Sequence, residues 1–168
     1  QAGLKTNWSP ERYGELLLTA GGKERMRRHF DETSWPMEFP NRDGLIAQLH
    51  KQKTDLFMDL IAQGKLPLRP GVQRIVDEAI SNDITLAVCS TSNERAVQKV
   101  VDVMLGPARS KKITVFAGDA VAAKKPAPDI YNLAAKTLGL TPSLCMVIED
   151  SVTGVIAAQA PPESLETL

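Results

Sequence analysis

The sequence has 168 residues, a mass of 18.3 kDa and a net charge of zero, with 20 Lys and Arg against 20 Asp and Glu. Balanced charge argues against a protein that binds nucleic acid through its phosphates. The longest apolar runs, such as Ile84 to Cys89, are far too short to cross a membrane. Two cysteines, Cys89 and Cys145, exclude a disulfide scaffold and a Cys-rich zinc site. Both lie in apolar, strand-like runs and are expected to be buried thiols. No signal or transit peptide is legible at the start, and Gln1 in place of Met reads as a chain that begins within a longer protein.

Residues 1–66 read as a helical domain without a convincing strand. Ser9-Pro10-Glu11 is a helix cap with proline in the first turn, and the helix is expected to carry Tyr13, Leu16 and Leu17 inward. Gly21-Gly22 breaks it, and a basic segment follows from Lys23 to His29. Trp35, Pro36 and Pro40 prevent residues 31–41 from forming one regular element. A long helix is expected from Arg42 to Gln63, with Leu45, Ile46, Leu49, Leu56, Phe57, Leu60 and Ile61 at helical spacing and Gly64 ending it.

Residues 67–160 alternate helix and strand. Pro70-Gly71-Val72 opens a helix with Ile75, Val76, Ala79 and Ile80 on one face. Ile84 to Cys89 reads as a parallel strand covered on both faces. Ser92 or Asn93 caps the next helix, with Val97, Val100, Val101 and Met104 inward. Ile113 to Phe116 is a second strand. Pro128-Asp129 opens a helix closed by Gly139, Leu144 to Ile148 is a third strand, and a short helix from Thr153 to Ala160 stops at Pro161-Pro162. Residues 161–168 read as a frayed tail. The class is α/β, a doubly wound parallel-sheet domain whose strand carboxyl ends form the natural site.

Three strand ends carry chemistry. Ser90-Thr91-Ser92-Asn93 offers hydroxyls and backbone N–H groups to an anion, or is simply a helix cap. In Lys124-Lys125-Pro126-Ala127-Pro128-Asp129 the prolines fix the chain, so that Lys125 can reach a phosphate as a point charge, or is a solvated loop lysine. In Val147-Ile148-Glu149-Asp150-Ser151 two adjacent carboxylates end an apolar run. They repel each other and lose solvation, costs that Mg²⁺ would relieve; the alternative is a capping aspartate beside an exposed glutamate.

Ser90, Lys125 and Glu149-Asp150 stand in order, 35 and 24 residues apart. This set resembles the second, third and fourth motifs of the haloacid dehalogenase superfamily of phosphohydrolases. The resemblance implies a Rossmann-like parallel-sheet core, with residues 1–66 as its inserted α-helical cap. Gly21-Gly22-Lys23-Glu24-Arg25, Leu49-His50-Lys51-Gln52-Lys53-Thr54, Pro67-Leu68-Arg69-Pro70-Gly71-Val72 and Val88-Cys89-Ser90-Thr91-Ser92-Asn93 look like the CbbY-type proteins. Those are sugar-bisphosphate phosphatases related to β-phosphoglucomutase, acting on xylulose 1,5-bisphosphate in plastids. For this chain the resemblance implies Mg²⁺ held by Asp150, with Glu149 as a ligand or acting through water. It implies Ser90, Thr91, Ser92, Asn93 and Lys125 on the transferring phosphoryl group, and Lys23, Arg25 and Lys53 on the second phosphate of a small phosphosugar. The last three could equally be a solvated basic helix face. A monomer in the chloroplast stroma, without nucleic-acid or membrane partners, is the further expectation.

One departure stands out. The superfamily's first motif is Asp-x-Asp-Gly, whose first Asp is the nucleophile. None of Asp31, Asp43, Asp55, Asp59, Asp77, Asp83, Asp102, Asp119, Asp129 and Asp150 belongs to an Asp-x-Asp. The core is therefore expected to lack its first strand, which would lie between those ending at Ser90 and Glu149, and its final strands. The chain as it stands is expected to be inactive. The alternatives are a phosphosugar mutase and a non-catalytic truncated isoform.

Overall fold

A computed structural model describes residues 6–64 and 66–160. Gln1 and the tail at 161–168 lie outside the described residues. The chain forms two compact units, Gln1–Leu56 and Phe57–Leu168.

In the first unit, α1 spans Pro10–Leu16. Ser9 caps it, its hydroxyl accepting from Arg12 N at 3.2 Å, as the sequence predicts. Helix α2 spans Gly22–Glu32. Gly21 holds a φ of +88°, and a Cβ on Gly22 would stand 2.9 Å from His50 Cδ2, so this glycine pair allows a tight turn and a close approach of α2 to its neighbour. Helix α3 spans Arg42–Ala62 and carries the division between the units. Asn41 accepts from Gly44 N at 2.9 Å at its start. Phe30, Leu45 and Ile46 form the core, with Met26, Trp35, Phe39 and Leu49 packed on it. The irregular segment between α2 and α3 is anchored by Trp35, whose Nε1 donates to Asp31 at 2.8 Å.

In the second unit, α4 (Val72–Ser81) leads to β1 (Leu86–Cys89), α5 (Glu94–Val100), a π turn (Val101–Leu105) and α6 (Gly106–Ser110). Strand β2 (Ile113–Phe116), α7 (Asp129–Leu138), a 3-10 turn (Pro142–Leu144) and α8 (Val152–Gln159) follow. The strands β1 and β2 pair in parallel, from Leu86 with Ile113 to Cys89 with Phe116. Phe116, Ile130 and Ala134 form the core, with Cys89, Val121, Tyr131, Leu133 and Leu138 against it. Arg109 grips Asp77 with two bonds of 2.6 and 2.9 Å, tying α6 to α4.

Several sequence expectations are corrected. Leu144–Ile148 is not a strand: Cys145–Glu149 run as irregular chain, and Leu144, Met146 and Ile148 are exposed. Its composition suits a strand, but a strand needs a neighbour to take its backbone hydrogen bonds, and β1 and β2 pair only with each other among the described residues. Cys145 is accordingly exposed, not buried. Strand β1 is not covered on both faces, because Ala87 is exposed, and so is its partner Thr114 on β2. Leu16 is fully buried, but Tyr13 and Leu17 are exposed, since a helix of two turns turns only one narrow stripe inward. Leu56 and Leu60 are exposed as well, whereas Thr54 and Ile61 on the same helix are buried, so only part of the expected apolar stripe faces inward. Ile75 on α4 is more exposed than Ala79, which carries the buried contact.

Candidate phosphoryl site

Lys125 is the centre of the site. It follows β2 on a proline-bounded loop and joins a cis peptide bond to Pro126. Lysine is rarely buried unless paired, yet this one is only 8% exposed. Its partners explain that. Nζ donates to the Cys89 carbonyl at 3.0 Å, to Glu149 Oε1, and sits 4.7 Å from the centre of the Tyr131 ring. One ammonium thus joins the end of β1, the loop after β2 and the segment before α8.

Glu149 is held by three donors. Oε1 accepts from Lys125 and from the Tyr131 hydroxyl at 2.5 Å, and Oε2 accepts from Ser151 at 3.2 Å. Burial pushes its carboxyl pKa up, but the hydrogen bonds from Lys125 and Tyr131 outweigh this and hold it below the ordinary value. Burial and the bond to Glu149 push the Tyr131 hydroxyl well above its ordinary value, so it remains a donor. Burial likewise pushes the Cys89 thiol up to about 11, with Glu149 adding to the shift and Lys125 opposing it. Gly154 makes room for this arrangement: a Cβ there would stand 2.1 Å from Glu149 Oε2.

Asp150 is placed differently. Its side chain is 77% exposed, with a 3.4 Å contact to the equally open Arg69. Such a surface pair contributes about 0–1 kcal/mol. The two neighbouring carboxylates therefore face different cations, Lys125 and Arg69. No group of three or more His, Cys, Asp and Glu side chains is gathered as a metal cage among the described residues.

The loop at Ser90–Asn93 is pinned at both ends. Ser90 N donates to the Phe116 carbonyl at 2.9 Å, continuing the β1–β2 ladder, and Gly118 N donates to the Ser92 carbonyl at 2.7 Å. The Ser90 hydroxyl accepts from Ser92 N at 3.1 Å. Asn93 caps α5, its Oδ1 accepting from Ala96 N at 3.3 Å. Thr91 is half-buried and Ser92 exposed. Lys125 reaches the base of this loop through the Cys89 carbonyl.

Three predicted basic residues lie in the first unit. Arg25 and Lys53 share one neighbourhood: burial, and then the charge of Arg25, lower the Lys53 pKa. Arg25 also contacts the Tyr13 hydroxyl and the Thr19 carbonyl, both at 3.4 Å. Lys23, two positions from Arg25 on α2, turns elsewhere, as helix geometry requires. It lines a groove of about 320 Å³ with Glu24, Arg27, Asp43, Ile46 and Ala47. The structure brings Arg25 and Lys53 together and leaves Lys23 apart.

Tyr131 and Arg69 are the functional candidates that the sequence reading missed. An aromatic with a polar tip in the first turn of the helix after the Lys125 loop was the available signal for Tyr131. Arg69 carried no such signal, because only the fold sets it beside Asp150, 81 residues away.

The haloacid dehalogenase-like hydrolase family model matches residues 1–160. A CBBY-like protein of Arabidopsis thaliana is 55% identical over 161 residues, covering 94% of this chain and 50% of the relative. Protein CbbY of Rhodobacter capsulatus is 41% identical over 160 residues, covering 94% of this chain and 68% of the relative. The chain thus spans about half to two thirds of the length of these relatives. Among solved structures, CbbY from Rhodobacter sphaeroides in complex with phosphate aligns at a TM-score of 0.84 and 38% identity, over 93% of this chain and 68% of that one. A mutant of that protein in complex with xylulose-(1,5)bisphosphate aligns equally well, at a TM-score of 0.84. A pinned Ser90 loop after β1, Lys125 on the loop after β2 and Glu149-Asp150 just before α8, together with this likeness, place the chain among the haloacid dehalogenase-like hydrolases, in the CbbY-like group.

Proposed function

We propose that this chain carries the phosphoryl-binding and substrate-gripping parts of a Mg²⁺-dependent phosphatase of small sugar bisphosphates, xylulose 1,5-bisphosphate being the expected type. The observation that carries this reading is the buried ammonium of Lys125, held at the base of the Ser90–Asn93 loop. A CbbY relative complexed with xylulose-(1,5)bisphosphate supports the substrate class. Ser90, with the hydroxyls and N–H groups of Thr91, Ser92 and Asn93, would bind the phosphoryl oxygens. Lys125 would offset negative charge on those oxygens as the phosphorus–oxygen bond breaks. Residues 1–66 would act as a cap, with Arg25 and Lys53 gripping the second phosphate; Lys23, on the opposite side of α2 from Arg25, would serve only if the substrate also reaches its groove. A monomer in the chloroplast stroma is the setting we propose.

The donor set fits Mg²⁺ at Asp150. Its carboxylate is a hard oxygen donor whose weak surface pairing with Arg69 is easily exchanged. Glu149, whose oxygens already accept from three donors, would act behind it. When bound, the ion would neutralise phosphoryl charge. The chain has no Asp-x-Asp, so the attacking carboxylate would come from outside these 168 residues, and the chain alone would bind phosphate without turning it over.

A ³¹P titration of inorganic phosphate tests the binding half of this proposal. The 168-residue chain should bind phosphate, and Lys125→Met should weaken binding by about tenfold or more, the loss of one charge-assisted hydrogen bond. Equal affinity of the two folded proteins would remove Lys125 from the site.

A further inference from the structure

Lys125 has a second fixed neighbour that the phosphatase reading leaves unused. The Tyr131 ring lies 4.7 Å from Nζ, and the Tyr131 hydroxyl donates at 2.5 Å to Glu149 Oε1, the oxygen that also receives Lys125. Tyr131 therefore meets the ammonium twice, once through its ring and once through the anion that the ammonium binds. Its backbone is fixed in the first turn of α7, with Tyr131 N donating to the Pro128 carbonyl at 2.8 Å. Its side chain packs on the cluster of Phe116, Ile130 and Ala134. An ammonium has three protons. The Cys89 carbonyl takes one and Glu149 another. With both acceptors fixed, the tetrahedral ammonium sets the direction of the third N–H.

We infer that Tyr131 is a positioning residue for Lys125: its ring and its hydroxyl-held Glu149 together fix the ammonium, so that its remaining N–H is presented to a phosphoryl oxygen. This role rests on the phosphatase reading for its purpose, but not for its geometry. The ring without the hydroxyl leaves Glu149 with two donors, Lys125 and Ser151, and less restrained about its terminal torsion. A flexible aliphatic side chain at this position removes the ring support as well. Precise placement matters because a charge-assisted bond weakens steeply as its angle opens.

The test compares the chain with its Tyr131→Phe and Tyr131→Leu variants, all checked for folding by amide spectra. The first readout is the ¹⁵Nζ–¹Hζ resonance of Lys125, identified by its loss in Lys125→Gln. In the parent chain it should be visible, with protons shifted upfield by the ring. In Tyr131→Phe the upfield shift should persist while exchange with water quickens. In Tyr131→Leu both the shift and the sharp signal should be lost. The second readout is the Kd for inorganic phosphate, which should rise about threefold to tenfold in Tyr131→Phe and further in Tyr131→Leu. A Lys125 resonance that is absent in the parent chain, or unchanged in Tyr131→Phe, would overturn the positioning role. If the parent chain binds no phosphate, the phosphatase reading fails, while the ammonium resonance still decides the placement of Lys125. Should Tyr131→Leu not fold, Tyr131→Phe alone carries the comparison.

Discussion

Cys89 and Cys145 have similar apolar neighbours in sequence and opposite surroundings in the fold. Cys89 packs against the core of the second unit, and burial raises its thiol to about 11, whereas Cys145 is exposed. Because the thiolate is the reactive form, iodoacetamide at neutral pH should alkylate Cys145 quickly and Cys89 only on unfolding. Mass spectrometry of timed digests would show this, and equal labelling rates would place Cys89 on the surface. Gly154 makes a sharper case. Alanine is the better helix former by about 1 kcal/mol, but its Cβ would overlap the Glu149 carboxylate at 2.1 Å. The obstructing atoms end a flexible side chain, so Glu149 would swing away rather than the helix shift. Gly154→Ala should thus change stability by less than about 1 kcal/mol while weakening phosphate binding severalfold, by breaking the Lys125–Glu149 pair. Thermal unfolding beside a phosphate titration separates the two effects; unchanged phosphate affinity would contradict the coupling. The sequence made Lys125 and Glu149 legible, because prolines and adjacent charges are local signals. It did not reveal which carboxylate Lys125 would choose, since that depends on side chains brought together from 24 residues away.

At the scale of elements, local rules read well where an element needs only itself. The cap at Ser9, the break at Gly21-Gly22, the end of α3 near Gly64 and the αL glycine after α7 at Gly139 all follow from the chain's own chemistry. Leu144–Ile148 shows the limit, because strand identity is shared with a neighbour and no local pattern supplies one. The cap at Ser9 should be worth about 1 kcal/mol, lost in Ser9→Ala and readable in chemical denaturation. Helix α2 contributes a pH dependence. His29 is buried beside the Trp8 ring, and burial, then the charge of Arg12, lower its pKa, with Glu32 opposing. The unfolded imidazole, near 6.5, therefore takes a proton before the folded one as the pH falls. The unfolded state binds more protons in that window, so stability should drop as the pH falls below about 6.5. His29→Phe should flatten this fall in the unfolding midpoint between about pH 7.5 and 5.5. An identical slope in the variant would clear His29 of the effect.

For the molecule as a whole, the site is assembled from three separate stretches of the second unit, around residues 89–93, 125–131 and 149–154, and Lys125 bonds to the first and last of them. On the proposed function, the ammonium and the hydroxyl-rich loop would bind a phosphoryl group, and the exposed carboxylate of Asp150 would hold Mg²⁺ beside it. On the proposed function the nucleophile lies outside this set. Among the described residues Ser90 has no base as a hydrogen-bond partner, and Glu149 is committed to Lys125, Tyr131 and Ser151. The most direct measurement is therefore phosphate release from a panel of sugar bisphosphates with Mg²⁺, for the 168-residue chain and for a form extended at its amino end by a strand carrying Asp-x-Asp-Gly. The extended form should turn over substrate, fastest with a bisphosphate of the xylulose 1,5-bisphosphate type, and the shorter chain should not exceed background. Comparable turnover by both would mean that the nucleophile lies within these 168 residues and would overturn the proposed function of this chain.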